Sequence, residues 1–326
     1  MPSLKPLFSL LSPAGPQARL SILIFHRVLA APDPLLPGVP DVTRFDAVCR
    51  WLADWFHVLP LDVAVRRLRE GALPARAASI TFDDGYADNY ELALPVLQRC
   101  GLSATFFIAT GFLGGGRMFN DSIIEIVRRA NSATLDLSKL GVSGLGVFDL
   151  SNSEGRLRAI SDILHAVKYR PLAERDELTR AIGIHAGVDR LPEDLMMTPA
   201  QVLALHHAGM QIGAHTVSHP ILAQLDTDSA RAEVVGSRDA LQDLLGEPVT
   251  LFAYPNGKPD VDYSVANVEL VKAAGFDAAF STAWGAVNCS SDRHQLPRFT
   301  PWDTGRAMFG LRLIRNLRLQ ASRAFA

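Results

Sequence analysis

A rhythm runs through this chain and limits the folds open to it. Short, nearly continuous apolar runs alternate with segments whose apolar residues recur at helical spacing. Residues 20–26 (LSILIFH), 78–82 (ASITF), 103–110 (SATFFIAT), 210–215 (MQIGAH), 249–255 (VTLFAYP) and 276–282 (FDAAFST) read as buried strands, and the shorter 57–61 (HVLPL) joins them. Between them, residues 42–56, 61–71, 88–101, 198–209, 226–246 and 261–275 read as helices. Thr43 is expected to cap the first of these. In 198–209, Thr198 is the cap, Pro199 stands at the first helical position and Gly209 is the stop. A strand apolar at nearly every position must be covered on both faces, which implies parallel strands with helical crossovers. About seven such units favour an α/β fold that closes, or nearly closes, as a (β/α) barrel rather than an open sheet.

Three stretches stand outside the rhythm. Residues 1–19 form an N-terminal extension whose short apolar run, broken by Pro13 and Pro16, matches a secretory signal only weakly. Residues 114–193 open with GGGR and contain a Gly/Ser-rich tract. They read as an insertion at the barrel rim, a lid or a plain surface elaboration, within a domain spanning 20–305. Residues 306–326 carry five arginines and no acid, with Met308, Leu311, Ile314 and Leu319 as one apolar stripe. This basic amphipathic helix packs on its own domain, or touches an anionic membrane or envelope machinery.

Composition removes several classes of function. A net charge of −2 gives no reason to expect a nucleic-acid partner. Three scattered cysteines, Cys49, Cys100 and Cys289, provide neither a disulfide framework nor a Cys-rich zinc site and read as buried thiols. Cytoplasmic or membrane-peripheral placement is favoured, with export left open.

Chemistry gathers at strand ends. In a parallel α/β architecture the loops leaving the strands carry the functional groups. Asp83 and Asp84 end one strand, followed by Gly85 for a tight turn. Neighbouring carboxylates repel unless a cation or a proton separates their roles, so one should bind metal while the other handles protons. His215 and His219 leave another strand four residues apart. A helical turn there would put both imidazoles on one face. Two histidines and one aspartate make a three-ligand site with room for water and substrate, the pattern of a catalytic metal.

TFDDG (81–85) and HTVSHP (215–220) resemble the first two motifs of the polysaccharide deacetylases, the NodB-homology group of carbohydrate esterase family 4. The resemblance runs from about Leu20 to Asp303, the insertion excepted. It implies Asp84, His215 and His219 as ligands of a divalent metal, zinc first, with cobalt, nickel and manganese as substitutes, and Asp83 as general base. FAYPNG (252–257) is similar to a third motif, which implies the Asn256 amide as an oxyanion donor in a groove wall shaped by Tyr254, Pro255 and Gly257. Ala253 stands where that motif often has an arginine, and Arg298 in LPRFTPWD is the substitute expected to orient Asp83.

The family's late Leu-x-x-His strand has no clear equivalent. His26 resembles the Tyr-His strand of permuted members and becomes the candidate acid, with a histidine that supports the site from behind, or one packed in the core, as the alternative. His294 looks loop-borne. His57, His165, His185, His206 and His207 look structural, and Phe119, Asn120 and Asp121 could line a sugar groove. The resemblance implies hydrolysis of the acetamide of an N-acetylated sugar or polysaccharide, of N-acetylglucosamine type. Two rivals stay open: an amidase or O-acetyl esterase of the same fold, and an inactive carbohydrate-binding component of an export system.

Overall fold

Apolar runs become strands wherever helices can cover them, and this chain supplies both in alternation. The computed structural model describes residues 4–319. Its first half runs through α1 (Lys5–Leu11), β1 (Leu20–Phe25), α2 (Val42–Trp55), β2 (His57–Val58), α3 (Leu61–Arg69), β3 (Ala77–Phe82), α4 (Leu94–Cys100) and β4 (Thr105–Ile108). Next come α5 (Phe119–Arg129), β5 (Thr134–Asp136), β6 (Val147–Asp149), α6 (Ser153–Val167) and α7 (Leu172–His185). The rhythm then resumes with α8 (Pro199–His207), β7 (Gln211–Ala214), α9 (Thr227–Leu245), β8 (Leu251–Ala253), α10 (Val265–Ala273), β9 (Ala278–Phe280) and α11 (Arg306–Arg318).

Seven strands form one parallel sheet in the order β1-β3-β4-β7-β8-β9, with β2 also paired to β3. Successive side chains of a strand point to opposite faces, and here both faces are apolar. Leu20 and Ile22 of β1, Phe107 of β4, Leu251 and Ala253 of β8 and Phe280 of β9 share one cluster. Their neighbours Leu23, Phe25, Phe106, Ile108, Phe252 and Ala279 belong to another. This double burial is why the strands read as continuous apolar runs rather than as alternation.

The sheet curls into a nearly closed barrel. Between β9 and β1 the gap is spanned by residues 296–299, through single parallel bridges from Leu296 to Phe280 and from Phe299 to Leu23. The amide of Phe299 donates to Ile22 O at 2.7 Å, and the amide of Ile24 donates to Phe299 O at 3.0 Å.

Several local expectations need correction. Asp41, not Thr43, caps α2, accepting the Arg44 N–H at 2.7 Å. The helix expected over 88–101 has two parts, a π-helical turn (Asn89–Ala93) followed by α4. Within the described part of the N-terminal extension, Phe8 is fully buried against Trp55 and Phe56. On α11 the buried stripe is Phe309, Leu313, Ile314 and Leu317, whereas Met308 and Leu311 are each 56% exposed. The inward face follows Gly310, where the Leu4 side chain and the Trp55 ring leave no room for a Cβ. Of the cysteines only Cys49 is buried, and Cys289 is exposed. No described helix is long and apolar enough to cross a membrane.

The second unit comprises Gly114–Met196 together with Pro32–Pro37, a segment the sequence reading assigns to the barrel. Leu35 joins this unit's own core of Ile123, Val127, Ile163 and Ile182, and Asp33 pairs with Arg128 at 2.6 Å.

Candidate active site

Asp83 follows β3 directly and keeps the parity of Ala77, which lies in the cluster of Leu20 and Phe107. It is 2% exposed. A buried carboxylate needs a countercharge and filled lone pairs, and Arg298 supplies both. Its two terminal nitrogens donate to the two Asp83 oxygens at 2.6 and 2.7 Å. The guanidinium is itself fully buried, donating through Nε to Ser281 O at 3.0 Å. Burial would raise the Asp83 carboxyl, but Arg298, with His215 behind it, holds it below the usual carboxylate range.

Asp84 leaves the strand in a left-handed conformation at φ 77°, and Gly85 follows at 91°. Six described non-glycine residues have positive φ, and four of them, Asp84, Thr216, His219 and Asn256, stand in these strand-exit loops. Backbone strain concentrates where side chains must be aimed. The turn after β7 is therefore not the expected helical one: left-handed Thr216 and His219 fold the chain back, and the imidazoles meet with ring centroids 4.9 Å apart.

Three buried or half-buried groups converge there. The Nε2 atoms of His215 and His219 lie 3.4 and 3.3 Å from Asp84 Oδ1. That oxygen is buried and has no hydrogen-bond donor. The other ring nitrogen of His215, Nδ1, lies 2.7 Å from Ala253 O and donates to it, which turns the Nε2 lone pair towards Asp84. Burial pushes the Asp84 carboxyl up, but His215, His219 and His26 around it pull it well below the usual range. The donor set fits a divalent cation. Two ligands each about 2.0–2.1 Å from a tetrahedral ion stand about 3.3–3.4 Å apart, the separation found here, and Asp84, His215 and His219 form a cluster of metal-ligand geometry.

The remaining candidates divide. His26 is exposed, one residue beyond β1, near enough to both carboxylates to help lower them. Asn256, at φ 58°, is half-buried, and its backbone N–H meets no acceptor among the described residues. Gly257 turns at φ 67°, and Thr282 Cγ2 would lie 3.0 Å from a Cβ there. Pro255 is buried. Tyr254 is a correction: its side chain forms no exposed wall. The ring is fully buried and stacked on Tyr263 at 3.9 Å, and its hydroxyl donates to His294 O at 2.9 Å. His294 is buried against Phe276 O, as a structural residue. Phe119, Asn120 and Asp121 open α5 in the second unit, where Asp121 caps the helix by accepting the Met118 N–H at 3.1 Å.

Sequence reasoning missed the clasp on His26. Asn89 donates to the His26 carbonyl at 2.8 Å, and Asp88 accepts Arg27 Nε at 2.8 Å and the Val28 N–H at 3.2 Å. The DNY directly after DDGYA was the available signal, and it reads first as an ordinary helix start. Its π-helical turn is the kind of local irregularity that recurs at functional sites.

The family model described as Polysaccharide deacetylase matches residues 70–139 and 177–279, more than half of the chain. YxkH of Bacillus subtilis (strain 168) is 31% identical over 99 residues, 30% of this chain and 34% of that protein, so the match spans about a third of the relative's length. Among solved structures, the deacetylase PplD of Streptococcus pyogenes, in complex with acetate, superposes with a TM-score of 0.60 at 18% identity, over 93% of this chain and 99% of that one. A de-N-acetylase from Aggregatibacter actinomycetemcomitans gives 0.59 at 16% identity, over 91% and 99%. IcaB from Ammonifex degensii gives 0.56 at 17%, over 92% and 98%. At these identities the structural likeness establishes the fold.

The Asp83–Arg298 pair yields a direct test. Arg298→Met leaves a buried carboxylate without its countercharge and should lower stability by about 3–5 kcal/mol. Urea unfolding of the metal-free protein measures it, and a loss under about 1 kcal/mol would mean that Asp83 does not depend on this partner.

Proposed function

Because the chain belongs to the polysaccharide deacetylase family, we propose that it hydrolyses the acetamide of N-acetylated sugar units in a polysaccharide, N-acetylglucosamine units first. One observation carries this reading: Asp84 Oδ1, a buried acceptor without a donor, faces two imidazole nitrogens at ligand spacing. Asp84, His215 and His219 would hold a divalent ion, zinc in first place, with cobalt, nickel or manganese as substitutes. When bound, the ion supplies Lewis-acid chemistry, polarising the acyl carbonyl and acidifying water.

The chain's own groups do the rest. Asp83, held ionised by Arg298, accepts the attacking water's proton, and the bidentate grip fixes which way its oxygens face. The free Asn256 N–H meets the oxyanion of the tetrahedral intermediate, a contact worth about 3 kcal/mol where such donors have been removed. His26, clasped by Asn89 through its carbonyl, protonates the leaving nitrogen, because an amide anion departs very poorly. Acetate as the released acid agrees with the acetate complex of the Streptococcus pyogenes deacetylase.

The purified protein should release acetate from N-acetylglucosamine oligomers, stop when a chelator is added, and resume on addition of zinc or cobalt. Undiminished turnover by Asp84→Ala or His215→Ala protein would remove the metal assignment. His26→Ala should slow amide cleavage about 10²–10⁴-fold while an acetyl ester, with its better leaving group, loses far less. Equal losses on both substrates would take the acid's role from His26.

The exposed face of α11 supports a peripheral contact with an anionic membrane. Met308 and Leu311 stand out from it, and Arg315 and Arg318 have no ion pair among the described residues. Vesicles containing anionic lipid should carry the protein on flotation and neutral vesicles should not. Unchanged flotation of an Arg315→Glu/Arg318→Glu protein would refute this contact.

A further inference from the structure

His219 reaches Asp84 only because the chain doubles back after His215, and the residues of that turn are poorly suited to it. Thr216 and His219 hold φ of 66° and 54°, left-handed conformations that cost non-glycine residues about 1–2 kcal/mol each. Something outside the turn must stabilise it. The Thr216 and Val217 carbonyls accept the Thr110 and Gly111 amides at 3.1 and 2.8 Å. The approach is so close that a Cβ on Gly111 would lie 2.7 Å from Val217 O.

The His219 N–H donates within the turn to Thr216 Oγ1 at 3.2 Å, and the donors of Val217 and Ser218 go to α9. One carboxylate oxygen of Glu233 accepts the Val217 and Ser218 backbone N–H groups, both at 2.8 Å. The other accepts the Ser218 hydroxyl at 2.6 Å. Consecutive amides converging on an anion define a concave backbone, and Glu233 is that anion, built into the fold.

Resting on the proposed metal site, we infer that Glu233 is a positioning residue for it. Glu233 grips the backbone between the two histidines and so sets where His219 stands relative to His215. Outer carboxylates usually hold a ligand's ring; here the carboxylate holds the chain that carries the ring. Without it, two amides lose their acceptor, the turn relaxes towards right-handed φ, and His219 Nε2 leaves Asp84. Loss of such supporting partners typically weakens metal binding about 10–100-fold.

The test is zinc affinity, measured by chelator competition on the full chain, with thermal unfolding followed with and without zinc. Wild type should bind one ion. Glu233→Ala should bind about 10–100-fold more weakly, with a smaller zinc-induced rise in Tm. Glu233→Gln, whose amide oxygen can still accept both N–H groups, should stay within a few-fold of wild type. Glu233→Asp, one methylene short, should behave like the alanine variant and replaces it if alanine prevents folding. Wild-type affinity in the alanine or aspartate variant, or a Tm lowered equally with and without zinc, overturns the role of Glu233. A wild type that binds no zinc overturns the metal reading itself.

Discussion

Two consecutive carboxylates, both buried, cannot share one countercharge. A buried charge without a partner costs several kcal/mol, so the fold must bring a separate positive group to each. Asp83 receives Arg298, and Asp84 receives the two imidazoles, whose spacing fits a divalent cation. The separation is not complete, since His215 Nε2 lies 3.4 Å from Asp84 Oδ1 and 4.0 Å from Asp83 Oδ2.

The first neutralisation, that of Asp83, ties the chemistry to barrel closure. Arg298 lies on the same segment that bridges β9 and β1, so the residues that complete the sheet also carry the guanidinium inward. Related motifs often place an arginine two residues before the Pro of FAYPNG, where this chain has Ala253. Here the guanidinium arrives from the closing segment instead, and the backbone carbonyl of Ala253 orients His215. A carboxylate responds to the position of a charge, whichever strand delivers it.

The second neutralisation depends on strained backbone. Asp84, Thr216, His219 and Asn256 all take left-handed conformations at strand exits. Neighbours hold each of them: the Asp84 and Thr216 carbonyls accept the Ala109 and Thr110 amides at 3.3 and 3.1 Å, the His219 N–H donates to Thr216 Oγ1 at 3.2 Å, and the Asn256 carbonyl accepts the Thr282 hydroxyl at 2.7 Å. A loop stabilised in this way loses little freedom when it binds an ion, which is the physical content of preorganisation.

The class of fold and the types of atom at the site are legible in the chain alone. Double-sided burial makes strands read as apolar runs, and an Asp-Asp-Gly or a His-x-x-x-His at a strand's end announces its donors locally. The tertiary structure alone decided which groups meet. Arg298 and Asp83 are brought together over 215 positions, and the turn joining His215 to His219 is left-handed rather than helical. Tyr254 turns inward onto Tyr263 although its motif suggested a groove wall, and Pro32–Pro37 joins the second unit through Leu35 and Asp33. Periodicity and donor chemistry are properties of near neighbours in the chain. Distances, φ angles and countercharges at the site arise only when remote segments are packed together.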